Sequence, residues 1–160
     1  MTVYQPNGEI VVGQHPFGRV HSTLHLRRGE KTRHIGLDGF YTGQKHNVLK
    51  PGEFIEAVEL PKPVRGHRFH AHKVSKRFEQ DISATCCALH YRLAKGVLKD
   101  VRLAYNGLTP WPARAPKIEA VLEGRAPADV TAQALDAAIA ASFTPRDGLR
   151  ATWTYRALIA

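Results

Sequence analysis

The sequence predicts an α+β fold, an antiparallel β-sheet of three to four main strands followed by, and packed against, C-terminal helices. Three observations carry this expectation. Apolar and polar residues alternate with period two in several segments between residues 23 and 105. Two apolar arms flank Lys95-Gly96, which is a hairpin signal. From Trp111 onward the apolar spacing changes to i, i+3, i+4, the helical period. Strands first and helices second favour segregated α+β layers over a parallel α/β sheet.

The elements follow in order. The first twenty residues hold three glycines and two prolines with little periodicity, and read as a loop. Thr23 to Arg28 alternates Leu24 and Leu26 with His25 and Arg27, a half-buried strand. Gly29-Glu30 marks a turn, and Thr32 to Leu37 returns as a second strand. Asp38 is placed to cap one helical turn through Tyr41, ended by Gly43. Pro51-Gly52 is a turn, after which Glu53 to Leu60 alternates: Phe54, Glu56, Val58 and Leu60 on one face, Ile55, Ala57 and Glu59 on the other. Pro61 and Pro63 stop that strand. Phe69 to Ser75 alternates again, with Lys73 on the face of Phe69 and Ala71. Ser83 to Ala94 and Val97 to Tyr105 form the hairpin arms, although the alanines of the first would also suit a helix. Ile118, Val121 and Leu122 then lie on one helical face, with Gly124 at the C′ position. Pro127 and Asp129 suit a helix start, continued by a stripe of Val130, Ala134, Leu135, Ala138 and Ile139. Asp147 is placed to cap a last helix carrying Leu149, Trp153 and Ala157. That helix has no stop signal before Ala160, which suggests an end cut short.

Composition narrows the class. The 160 residues carry 23 Lys+Arg against 14 Asp+Glu, a formal charge of +9, with 43% hydrophobic and 23% charged residues. That balance fits an ordered globular domain rather than a disordered chain. No apolar run reaches the roughly 20 residues needed to span a bilayer, and no signal peptide opens the chain. The positive charge invites nucleic acid, but the cations are dispersed rather than clustered and interleaved with aromatics, which argues against such a surface. The two cysteines, Cys86 and Cys87, are adjacent. Neighbours in a strand point to opposite faces, so a disulfide does not fit, and a reducing cytoplasmic setting is expected. Two cysteines are also too few for an iron–sulfur cluster built from this chain alone.

Read for chemistry, the residues offer no complete active site. His70 and His72 share a strand face and His67 lies on the other, with no third donor to close a metal site. The cysteines sit in an apolar run, where thiols are ordinarily packing. No phosphate loop, dinucleotide fingerprint or nucleophile elbow is present. The densest polar patch is residues 72–83, in which the Lys73 ammonium could pair with a phosphate, a flavin carbonyl or a carboxylate.

That patch carries a resemblance. Lys73-Val74-Ser75-Lys76-Arg77-Phe78-Glu79-Gln80-Asp81-Ile82-Ser83 resembles the K-x-S-x-R-x-x-x-D-I-S/A signature of the flavoproteins of molybdenum hydroxylases. Leu49-Lys50-Pro51-Gly52-Glu53-Phe54-Ile55 resembles that family's L-x-P-G-E segment. Asp100 to Gly107, with Pro112 and Arg114 before a helix, resembles D-V-R-L/I-A-F/Y-G-G…P-x-R-A, and Pro145 to Arg156 resembles a closing P-x-x-D…R-A…Y-R segment. The family includes the small, FAD-binding subunit of xanthine dehydrogenase and the carbon monoxide dehydrogenase flavoprotein.

The resemblance implies a flavoprotein C-terminal subdomain over residues 23–160, with residues 1–22 a loop or a remnant of the upstream FAD-binding subdomain. It implies a partial FAD site, with Ile55 touching the isoalloxazine region, Lys73 binding near the flavin and Arg77 in the loop beside it. Electrons would pass from iron–sulfur clusters through FAD to NAD, and purine hydroxylation would occur at a molybdenum cofactor on a large partner subunit. The cluster domain and the rest of the FAD site would lie on other domains or subunits, so catalysis by this chain alone is not expected. The alternative is a docking module that keeps the fold without flavin. Three departures stand out: Arg19 replaces an acid after Gly13 to Gly18, Gln44 replaces a tyrosine, and Asn106 replaces the first glycine of a pair.

Overall fold

The computed structural model describes residues 22–43, 45–60, 65–76, 83–144, 146–148 and 151–160. The expectations for residues 1–21, Gln44, the Pro61–Pro63 stop, Arg77, Pro145, Leu149 and Arg150 lie outside them. The chain forms two compact units, residues 1–63 and 64–160. No helix among the described residues is long and apolar enough to cross a membrane.

In the first unit, β1 (Thr23–Arg28) lies between β2 (Lys31–Gly36) and β5 (Phe54–Glu59), both antiparallel to it. Leu24 and Leu26 of β1 are buried with Leu37 and Phe40, and Ile55 and Val58 pack against them. The strict alternation expected for residues 53–60 fails here. β1 pairs His25 with Ala57 but Leu26 with Ile55, so Glu56 is an extra residue in the ladder. Such a bulge shifts the side-chain parity by one. It turns both Ile55 and Val58 toward the core and leaves Phe54 54% exposed. The helical turn expected at Asp38 is also corrected. A 3-10 turn runs Leu37–Gly39 after Gly36, with no side-chain cap. β3 (Tyr41–Gly43) then pairs with β4 (His46–Asn47). Burial of Phe40, whose carbonyl accepts the Val48 N–H at 3.0 Å, draws the chain into a hairpin before a helix can grow.

The second unit is a four-stranded antiparallel sheet in the order β6 (His67–Ser75), β7 (Ser83–Ala94), β8 (Val97–Asn106), β9 (Ala113–Arg114). The β7–β8 hairpin closes Ala94 on Val97 with Lys95 at φ 51° and Gly96 at φ 79°. Two positive φ values make the type I′ turn whose twist matches that of the strands. Pairing of both edges of β7 settles it as a strand despite its alanines.

Leu98, Val101, Leu103 and Tyr105 bury one face of β8 against α1 (Pro116–Leu122) and α2 (Ala132–Ser142) through Ile118, Leu122, Ala138, Ile139 and Phe143. Gly124, at φ 78°, ends α1 as its position suggests. The expected helix start at Pro127 is corrected. Pro127–Asp129 is a separate 3-10 turn, Val130 is extended, and Thr131 caps α2 by accepting the Ala134 N–H. The last helix, α3, runs Trp153–Leu158. Thr152 is its N-cap, but Asp147 also contributes, accepting the Trp153 N–H at 2.6 Å.

Candidate functional site

The outer edge of β8 would expose a row of unpaired amides beyond the two-residue β9, and residues 115–125 satisfy it instead. Leu98 exchanges bonds with Gly124 and Arg125. The Val101 N–H donates to Glu123 at 2.9 Å, and the Leu103 N–H donates to Glu119 at 2.8 Å. Glu119 lies on α1 and Glu123 is the residue that caps its C-terminus, and their carboxylates stand in for a missing strand. The Arg114 guanidinium, half-buried, forks onto Glu119 at 3.0 and 2.5 Å. The shallow cavity of about 320 Å³ beside them is lined by Asp100, Arg102, Glu119 and Glu123. Glu119 and Glu123 are already engaged in holding β8, and Asp100 pairs with Arg92. This region is scaffold.

Ile55 follows a turn that the sequence builds from Pro51-Gly52-Glu53. Gly52 has φ 77°, a conformation that excludes most side chains. Glu53 donates its N–H to the Lys50 carbonyl at 2.9 Å, and its carboxylate accepts the Lys50 N–H at 2.7 Å. Arg33, from β2, donates Nε at 2.9 Å and Nη2 at 2.8 Å to the two oxygens of Glu53. The Arg33 hydrogen bonds, then the Lys50 N–H, hold the Glu53 carboxyl down at about 2. Ile55 itself is half-buried, packed on the core of the first unit with part of its surface open.

Lys73 lies on β6 in the second unit, exposed, opposite Cys86 across the β6–β7 ladder. No hydrogen bond or ion pair engages its ammonium among the described residues. Burial pushes the Cys86 thiol up, opposed in part by the charge of Lys73, and burial pushes Cys87 up as well. Both are free thiols held as neutral packing groups. Two of the three clustered histidines face partners across the β6–β7 ladder. His67 Nδ1 is 3.1 Å from His90 Nε2, and His70 Nε2 is 3.4 Å from the Tyr91 hydroxyl. Among the described residues no group of three or more metal-binding side chains is assembled.

Taken one at a time, an exposed ammonium such as that of Lys73 is a donor for a flavin carbonyl, and the open part of Ile55 is an apolar surface for a ring edge. Neither serves a pyrophosphate cradle of backbone N–H groups. Ile55 and Lys73 sit on different units.

Residues 70–160 match the CO dehydrogenase flavoprotein C-terminal domain family. The chain belongs to that family. It is 33% identical over 107 residues, 65% of its length, to the xanthine dehydrogenase/oxidase of Gallus gallus, and 27% identical over 100 residues to the xanthine dehydrogenase of Drosophila subobscura. It spans only 8% and 7% of those relatives. Among solved structures, a chain of the Hydrogenophaga pseudoflava carbon monoxide dehydrogenase lacking the Mo-pyranopterin moiety superposes with a TM-score of 0.79 at 24% identity. The match covers 99% of this chain and 60% of that one. Quinoline 2-oxidoreductase of Pseudomonas putida 86 gives 0.75 at 17% identity, covering 98% and 59%. Those two likenesses establish the fold.

Within this flavoprotein domain, the glycine-pair departure has a structural reading. Asn106 ends β8, paired with Cys86, in ordinary strand conformation. The strict requirement falls on Gly107, at φ 96°, where a Cβ would meet the Ala84 carbonyl oxygen at 2.3 Å. Arg156 of α3 donates Nη1 to the carbonyls of Ala84, at 3.0 Å, and Gly107, and Nε to that of Ala151 at 3.3 Å. It therefore ties α3 to the strand ends. The sequence contained Arg114 and Arg156 within quoted segments but gave them no role. Arg33 was missed; its signal was a long cation at a half-buried position of β2.

Proposed function

We propose that this chain is the flavin-facing part of the FAD subunit of a xanthine dehydrogenase-like molybdenum hydroxylase. The reading is carried by the match of residues 70–160 to the flavoprotein family together with the likeness to xanthine dehydrogenases. Residues 23–160 act as the C-terminal subdomain, and residues 1–22 belong with the upstream FAD-binding portion. FAD, when bound, supplies the redox chemistry, relaying electrons from iron–sulfur clusters to NAD. Molybdenum cofactor and clusters reside on partner portions, in a cytoplasmic assembly.

The chain's own contribution is binding and orientation. Ile55 offers an apolar contact to the ring, and Lys73 supplies a positive charge and N–H donors for its carbonyl edge. Arg77 is a further candidate contact, on the resemblance alone. The test is purification of the chain with its partner portions and measurement of flavin absorbance in the visible. The reading requires flavin in the assembly; a purified assembly that takes up no added FAD would refute it.

A further inference from the structure

Two arginine–glutamate pairs bracket Phe54-Ile55. On one side Arg33 forks onto Glu53, whose side chain is only 8% exposed, and Arg33 Nη2 also donates to the Val48 carbonyl at 2.8 Å. On the other side Arg27 Nη1 donates at 2.6 Å to Glu56, the residue that makes the bulge. The Glu53 turn and the Glu56 bulge together set the direction in which Ile55 leaves the strand. A tight turn with Pro51 and Gly52 does not need a half-buried ion pair to close. Such pairs add little net stability over apolar replacements, but they fix geometry because both oxygens and both N–H groups must meet.

We propose that Arg33 and Glu53 are positioning residues for the flavin contact at Ile55. The pair locks the 48–53 segment so that Ile55 presents a fixed apolar surface to the ring. This rests on the flavin reading above. The fork is specific to a guanidinium, since lysine offers one point charge and cannot bridge both oxygens while holding Val48.

The test uses the full chain, with the Ile55 δ1-methyl resonance as a local signature and those of Ile118 and Ile139 as reporters of the fold elsewhere. Arg33→Lys and Glu53→Gln are expected to shift or broaden the Ile55 methyl and leave the other two unchanged. In the assembly with its partner portions, the same variants are expected to weaken FAD binding about tenfold, the scale on which outer supporting partners act at other sites. An Arg33→Leu/Glu53→Leu double variant removes the pair together with its Lys50 and Val48 bonds: it should lose FAD affinity while the Ile118 and Ile139 methyls stay unchanged. An unmoved Ile55 methyl in both single variants, or unchanged FAD affinity with a moved methyl, overturns the role of the pair. Wild-type assembly without FAD uptake overturns the flavin reading, and the proposed role with it.

Discussion

Glu53 stays ionised well below the ordinary carboxylate range, because Arg33 and the Lys50 N–H both favour its charged form. Its carboxyl shifts from 4.5 to about 2 on folding. A depressed folded value means that the stabilisation is fully present above the unfolded value, about pH 4.5, and is lost as pH falls through about 2. The first unit should therefore weaken on acidification across that window, and Glu53→Gln should flatten this dependence. Methyl resonances of Leu24 and Leu26 followed against pH check it. At Gly107, the positive φ and the close Ala84 carbonyl leave no room for a side chain. Gly107→Ala is expected to cost about 3 kcal/mol in urea unfolding, from backbone strain and overpacking together. The sequence showed a glycine pair broken by Asn106; only the backbone angle shows which of the two glycines is required.

Elements were legible where one rule decided them. β1 matches its alternation from Thr23 to Arg28, and the Lys95-Gly96 turn sets the β7–β8 register. The faces of β5 were not legible, because a bulge is set by its partner strand and not by its own residues. The turn at Leu37 and the break at Val130 were missed for a related reason, since burial of Phe40 and capping by Thr131 override local propensity. The carboxylate edge of β8 could not be foreseen from spacing, since it needs α1 placed against the strand. Glu119→Ala would remove the carboxylate held by the Arg114 guanidinium and orphan the Leu103 N–H. It is expected to destabilise the second unit by about 3 kcal/mol, measured by urea denaturation. Arg156→Ala should cost about 2 kcal/mol by the same measurement, as charge-assisted bonds to the strand-end carbonyls are lost. Arg156→Lys should recover only part of this, because one ammonium cannot reach both strand ends and the Ala151 carbonyl.

At the scale of the molecule, the +9 charge is an excess of cations over carboxylates. Arg27, Arg33, Arg92 and Arg114 each hold a particular carboxylate, so these four are neutralised in pairs and the excess falls on the other cations, which are dispersed along the sequence. The family was legible because its signature residues lie in order along the chain, and residues 70–160 match it. The candidate flavin residues were legible only through that resemblance: nothing in the spacing of Ile55 or Lys73 distinguishes a ring contact from a core aliphatic or a surface cation. In the proposed function this domain contributes to flavin binding. The most direct test is an FAD titration, followed by flavin fluorescence, of partner portions assembled with wild-type chain, with Lys73→Ala chain and without the chain. Tight uptake that requires the chain and weakens about tenfold in Lys73→Ala, the loss of one charged hydrogen bond, is predicted. FAD binding that is the same in all three assemblies would contradict it.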